Sequence, residues 1–290
     1  FLLVTSSYRN DQDKPLEVEL VDRVCAARTF EYGRESAANL AWWYDRWFGQ
    51  AYGIVAEQRT VEQGPPERKV GSMVRYSDNG KSAVMLEPGE SIALARRIFP
   101  GKNLIDVRAN ANQLTGVTNH PVSLNVQDSD GPVPAAEVKL TLEDQPYASG
   151  RTDKNGHLKF AIPPGTYAIS VEAPARGSQT LEIDSPVEQT ITVELPNAGY
   201  VAGRITDTGG RPIACKVQFR GAEETSDPDF GPASGDHAVK ALYYTANGSF
   251  RQEIAPGTYE IIVSHGPEYD AVYDRIEVVR GQTVLPVSYT

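Results

Sequence analysis

The sequence is poor in the residues that most often carry chemistry: its 290 residues include only two cysteines, two methionines and four histidines. Cys25 and Cys215 lie far apart along the chain. A disulfide framework therefore does not organise the fold, and both are expected to be small buried hydrophobes. His120, His157, His237 and His265 are isolated from one another, and there is no His-x-His. Imidazoles spaced to converge on a metal are thus missing. Neither Gly-x-Ser-x-Gly, a Cys and His pair in a recognisable context, nor a phosphate-cradling Gly-x-x-x-x-Gly-Lys-Ser/Thr occurs. Gly80-Lys81-Ser82 follows an Asp-Asn pair without the preceding glycine and reads as a hairpin. Basic residues are outnumbered 28 to 38, giving a net charge of -10, and a chain so acidic lacks the basic stripe that nucleic acid requires. No apolar run approaches the roughly 20 residues of a membrane-spanning helix. The chain opens on Phe1 rather than Met, which implies processing or truncation.

What the sequence does contain is a repeat. Lys154-Asn-Gly-His-Leu-Lys-Phe-Ala-Ile-Pro-Pro-Gly-Thr-Tyr-Ala-Ile-Ser-Val171 matches Ala246-Asn-Gly-Ser-Phe-Arg-Gln-Glu-Ile-Ala-Pro-Gly-Thr-Tyr-Glu-Ile-Ile-Val263 at an offset of 92 residues. Upstream, Gly131-Pro-Val-Pro-Ala-Ala-Glu-Val138 matches Gly210-Arg-Pro-Ile-Ala-Cys-Lys-Val217 at an offset of 79. The second copy therefore carries 13 additional residues between the two blocks, expected as a surface loop. Asn155-Gly156 and Asn247-Gly248 suit the positive φ of a tight hairpin. Pro164-Gly165 and Pro256-Gly257 are second turns, each leading into a β-branched and aromatic strand. In those strands Tyr167, Ile169 and Val171, and their counterparts Tyr259, Ile261 and Val263, should face a core. Turns about every ten residues with little helical periodicity imply an all-β protein of tandem β-sandwiches, divided as 1-118, 119-196 and 197-290.

Gly131, Pro134, Ala136, Val138, Thr152, Asn155, Gly156, Pro164, Gly165, Tyr167, Ile169 and Val171 carry a pattern that resembles the carboxypeptidase regulatory-like, or transthyretin-like, sandwich. The second copy carries it at Gly210, Pro212, Ala214, Val217, Asn247, Gly248, Phe250, Pro256, Gly257, Tyr259, Ile261 and Val263. The resemblance implies a spacer or interaction module of a secreted, periplasmic or cell-surface protein. Within the second copy, Phe219–Pro232 and Val263–Asp270 are similar to the sandwich preceding the catalytic domain of bacterial CehA/McbA-type metallohydrolases of the PHP family. That likeness implies a downstream metal-binding domain opening with His-x-His, which this sequence does not contain.

Residues 1-118 lie outside the repeat. Gly71–Tyr76, Ser82–Leu86 and Leu104–Val107 read as strands, with turns at Asp78-Asn-Gly80, Glu87–Glu90 and Pro100-Gly101. From Glu35 to Phe48, Leu40, Trp43, Tyr44 and Trp47 recur at helical spacing behind a Ser36 cap, which predicts one short amphipathic helix on a sheet. Trp42, Trp43 and Trp47 are all the tryptophans of the chain, a possible sugar-stacking or partner-contact cluster, with core packing as the alternative. Asp227, Asp229 and Asp236, with His237, fall in the inserted loop and suit calcium, although their spacing is not that of an EF-hand. A solvated loop is the alternative, and no other cofactor is expected.

The residues support three readings: a non-catalytic accessory region serving a downstream catalytic domain, a structural subunit assembling with identical subunits into a surface layer or filament, and a carbohydrate-binding module.

Overall fold

The computed structural model describes residues 1–26, 29–45, 48–63, 72–187, 190–231 and 238–285. The described residues of the N-terminal unit form ten strands: β1 Leu2–Arg9, β2 Leu16–Glu19, β3 Val21–Val24, β4 Glu31–Glu35, β5 Leu40–Asp45, β6 Gln50–Ala56, β7 Thr60–Gln63, β8 Ser72–Ser77, β9 Ala83–Leu86 and β10 Ser91–Gly101. A five-stranded antiparallel sheet runs β1-β10-β6-β5-β4, with a β3-β8-β7 sheet and a β2-β9 pair beside it. The turns at Asp78-Asn-Gly80 and Glu87–Glu90 form as expected, with Asn79 and Gly80 both at positive φ. Pro100-Gly101 instead completes the last stretch of β10.

The predicted Trp-rich helix is replaced by a β-hairpin, β4 to β5, with Trp42 opposite Gly33 and Trp43 opposite Tyr32. Its strand β5 is buried on both faces, so its apolar residues run together instead of alternating with polar ones. Ala41 and Trp43 enter one core with Ile54, Val74, Tyr76 and Leu94. Leu40 and Tyr44 enter another with Ala51, Val55 and Phe99. An unbroken apolar run satisfies helical spacing as readily as strand spacing, which is why the sequence misleads here.

The single helix among the described residues is α1, Leu104–Leu114, where a strand was expected. Asn103 caps it, its side chain accepting from the backbone N–H of Asp106 at 2.9 Å. Leu104, Ile105, Val107, Arg108, Ala111 and Asn112 are its buried residues, a full helical face of which Leu104–Val107 is too short a sample. Gly53 lets the helix seat closely, because a Cβ there would lie 2.6 Å from the Phe99 ring and 2.9 Å from Val107 Cγ1.

The first repeat comprises β11 His120–Asp128, β12 Gly131–Pro132, β13 Glu137–Leu142, β14 Gln145–Arg151, β15 His157–Ile162, β16 Gly165–Ala173, β17 Gly177–Ser185 and β18 Ile191–Glu194. The second comprises β19 Gly199–Arg204, β20 Cys215–Gly221, β21 Ala238–Val239, β22 Leu242–Thr245, β23 Ser249–Ile254, β24 Gly257–Ser264, β25 Val272–Val278 and β26 Thr283–Val284. Their topologies coincide. In the first, β11 pairs antiparallel with β15 and parallel with β18, facing a β14-β13-β16-β17 sheet. In the second, β19 pairs antiparallel with β23 and parallel with β26, facing β22-β20-β24-β25. Both sequence offsets recur in the pairing register, Val138 with Val171 and Val217 with Val263.

All six strand residues expected in the cores are buried, Val263 the most exposed of them at 4%. Tyr167 and Tyr259 each donate their hydroxyl to the carbonyl four residues earlier, at 3.2 and 3.0 Å, which satisfies the one polar atom each carries inward. Gly156 and Gly248 stand at φ 73° and 71°, and a Cβ on either would come within 2.4 Å of a backbone carbonyl oxygen. The additional residues of the second copy follow β20, where the first copy has a direct turn at Glu143-Asp144 between β13 and β14. Their described part folds back onto the sandwich. Thr225 accepts at Oγ1 from the Thr258 N–H, and the Phe230 ring sits edge-on to Phe219 at 5.5 Å.

Of the two cysteines expected to be buried, Cys215 on β20 is and Cys25 is exposed. Burial pushes the Cys215 thiol up to about 11. A thiol reagent at neutral pH should therefore modify Cys25 rapidly and Cys215 only as the second sandwich unfolds. Equal labelling rates in the native protein would contradict the packing of β20.

Candidate functional site

The residues singled out from the sequence do not converge. Trp43 is 2% exposed and Trp42 partly buried, on opposite faces of β5, so Trp43 is withdrawn from any surface platform. Trp47 lies outside the described residues. Asp227 accepts from the Gly221 N–H at 2.8 Å and Asp229 from the Gly231 N–H at 3.1 Å, both binding the loop's own backbone. Asp236 and His237 lie outside the described residues. Among the described residues no three His, Cys, Asp or Glu side chains gather as a metal site.

The polar groups that do converge lie at the junctions between folded units. At the first junction, α1 is enclosed between the five-stranded sheet and the first sandwich, and one hydrophobic core extends from Ala38 to Leu195 through Ile105, Val107, Leu124 and Leu140. Arg108, on the helix, pairs with Glu35 of β4 at 2.8 Å and lies over the Tyr147 ring of β14, 4.4 Å from its centroid. Beside this seam is a groove of about 450 Å³ lined by Tyr44, Lys102, Arg151, His157 and Lys159. Burial pushes the Tyr44 hydroxyl up to about 12. Asp153, at the same groove, accepts from the backbone N–H groups of His157 and Asn155, which hold its carboxyl below the usual range. The groove therefore presents hydrogen-bonding and cationic groups, with its carboxylate already engaged by its own turn.

The second junction is built on Arg176, in the tight turn between β16 and β17. Its guanidinium is 5% exposed and donates from Nε to Asp128 Oδ2 at 2.8 Å. It also forks onto Glu253 of the second sandwich, Nη1 to Oε2 at 2.6 Å and Nη2 to Oε1 at 3.1 Å. Burial alone would lower the arginine pKa, but the hydrogen bonds it donates to Glu253 and Asp128 outweigh it and the net shift is upward. Asp128 is itself fixed, its Oδ1 accepting from the Asp130 N–H at 2.9 Å in a turn that closes β11. Asp207 stands at the equivalent place in the second copy and accepts from Gly209 N–H, but its partner is the neighbouring Arg211, whose side chain is 84% exposed. The same turn thus serves locally in one copy and as an inter-sandwich bridge in the other. Only Leu195–Ala198 separate β18 from β19, and both ends of this link are buried. Asn197 within it donates to Ser129 Oγ at 2.7 Å, while Arg280 donates to its carbonyl at 2.8 Å.

The first copy folds as the sandwich expected from its motif, although the turn at Asn155-Gly156 crosses from one sheet to the other instead of closing the expected hairpin. Residues 121–196 match the carboxypeptidase regulatory-like domain. The matched residues run from β11 to just after β18, and the second sandwich repeats their pairing pattern. No curated protein matches the chain. Among solved structures, the shaft pilin SpaA from Lactobacillus rhamnosus GG is 13% identical over 58% of this chain and 97% of its own, with a TM-score of 0.34. A streptococcal ancillary pilin is 15% identical over 85% of this chain and 74% of its own, at 0.30. The Bacillus anthracis TIE protein is 8% identical over 99% and 57%, at 0.25. No helix among the described residues is long and apolar enough to cross a membrane.

Proposed function

We propose that the chain is a non-catalytic accessory region of an extracytoplasmic protein, a stiff array of sandwiches that holds attached parts at fixed separation and angle. The observation that carries this reading is the pair of closed junctions. Units joined by a flexible tether move independently by default. Here a shared core closes the first junction and a buried arginine bridge with a four-residue link closes the second. Burying a guanidinium between two carboxylates is costly unless its geometry is fixed, so such a bridge is better suited to setting an orientation than to adding stability. Distance measurements between spin labels on β4 and β25 should give one narrow distribution, and a broad one would sink the reading.

The likeness of Phe219–Pro232 and Val263–Asp270 to sandwiches of PHP-type metallohydrolases supports a finer version, in which the array precedes such a domain in the same polypeptide. The codons following Thr290 test it directly: a His-x-His segment supports the finer version, and a stop codon or unrelated sequence removes it.

A further inference from the structure

β1 differs from the other sheet edges of this protein. Among the described residues it pairs only with β10, in unbroken register from Leu2 with Ile98 to Arg9 with Ser91, so its outer edge is straight and unpaired. Such an edge is a template for another strand, and proteins blunt their edges with charge, proline, bulges or brevity. The remaining edges follow that rule. Strand β4 carries Glu31, Arg34 and Glu35, β17 carries Glu182 and Asp184, and β25 carries Asp274, Arg275 and Glu277. Strand β14 contains Pro146, and β9 is four residues long. From Leu2 to Tyr8, β1 has neither charge nor proline, and it begins with Leu2 and Leu3 at 63% and 51% exposure.

We propose that this edge pairs antiparallel with β1 of a second copy, on a twofold axis through Thr5 that joins two five-stranded sheets edge to edge. The register follows from the sequence. Opposed residues in an antiparallel pair share a face, so a twofold axis normal to the sheet must pass beside one residue or between the like-facing pairs around it. Centring on Thr5 sets Leu2 against Tyr8, Leu3 against Ser7 and Val4 against Ser6, which covers both exposed leucines and places Arg9 beside Phe1. Centring on Ser6 would set Leu3 against Arg9, and centring on Val4 would leave Tyr8 uncovered. This inference does not depend on the accessory reading.

The test is a charge swap at the axis. Thr5 is exposed, so Thr5→Lys and Thr5→Glu should leave thermal unfolding unchanged at dilutions where the wild type is monomeric, while each places like charges directly opposite one another across the dimer. By sedimentation, the wild-type chain should double in mass with concentration, each variant should weaken that association roughly tenfold or more, and an equal mixture of the two should restore it. A wild-type chain that stays monomeric up to its solubility limit overturns the proposal. So does a Thr5→Lys variant that associates like wild type, or a mixture that associates no better than its components.

Discussion

Replacing Arg176 by alanine should destabilise the protein by about 3–5 kcal/mol, because it strands a buried carboxylate. The Asp128 side chain is 2% exposed, and its Oδ2 faces the arginine Nε. With the guanidinium gone, that carboxylate has neither water nor a counter-charge. Glu253 is 41% exposed and can return to solvent, so Glu253→Ala should cost much less stability while still releasing the second sandwich. Arg176→Lys should fall between, since an ammonium restores the charge without the planar fork. Arg211→Ala in the equivalent turn is the internal control: its partner Asp207 is held by backbone N–H groups and the arginine is exposed, so a change within about 0.5 kcal/mol is expected. Urea denaturation of the four variants measures the series. An Arg176→Ala effect no larger than that of Arg211→Ala would show that the bridge is not buried as described.

That bridge was not legible in the sequence, although the repeat that contains it was. The turn positions and the alternation through Tyr167 and Tyr259 are local, and local signals survive without a structure. That Asn155-Gly156 and Asn247-Gly248 do not close the expected hairpins, but carry the chain from β14 to β15 and from β22 to β23 in the facing sheet, with positive φ at the glycines alone, is set by strand pairing and was not readable. Arg176, by contrast, works through Asp128 and Glu253, 48 and 77 residues away. One signal was present: Asp128 and Asp207 correspond at the offset of 79, yet Arg211 corresponds to Pro132, so the first aspartate lacks the neighbour that the second has. The N-terminal unit misled for a related reason. Leu40–Asp45 and Leu104–Leu114 are shaped by what packs on them, a strand covered on both faces and a helix enclosed at a seam. The Asn103 cap and the apolar face running on to Ala111 were readable, but only over a window longer than Leu104–Val107. The exposure of Cys25 and the withdrawal of Trp43 likewise depend on partners distant in sequence.

Because one core spans the first junction, the N-terminal unit and the first sandwich should unfold together, and a matched pair of substitutions separates this from independent unfolding. Leu140 and Phe219 occupy the same position in the two copies, on β13 and β20, at 1% and 0% exposure. Leu140 belongs to the core shared with α1 and the five-stranded sheet, whereas Phe219 belongs to the separate core of the second sandwich. All three tryptophans lie between residues 42 and 47, so fluorescence reports the N-terminal unit alone. Leu140→Ala should cost about 2–5 kcal/mol. It should move the fluorescence transition by that amount although no tryptophan lies in its sandwich. Phe219→Ala should cost about 3–5 kcal/mol, seen in far-ultraviolet dichroism as earlier loss of the second sandwich, with a smaller movement of the tryptophan signal transmitted through the second junction. If Leu140→Ala leaves the fluorescence midpoint in place, the seam at α1 is a contact between independently stable units, and the array is stiff at one junction instead of two.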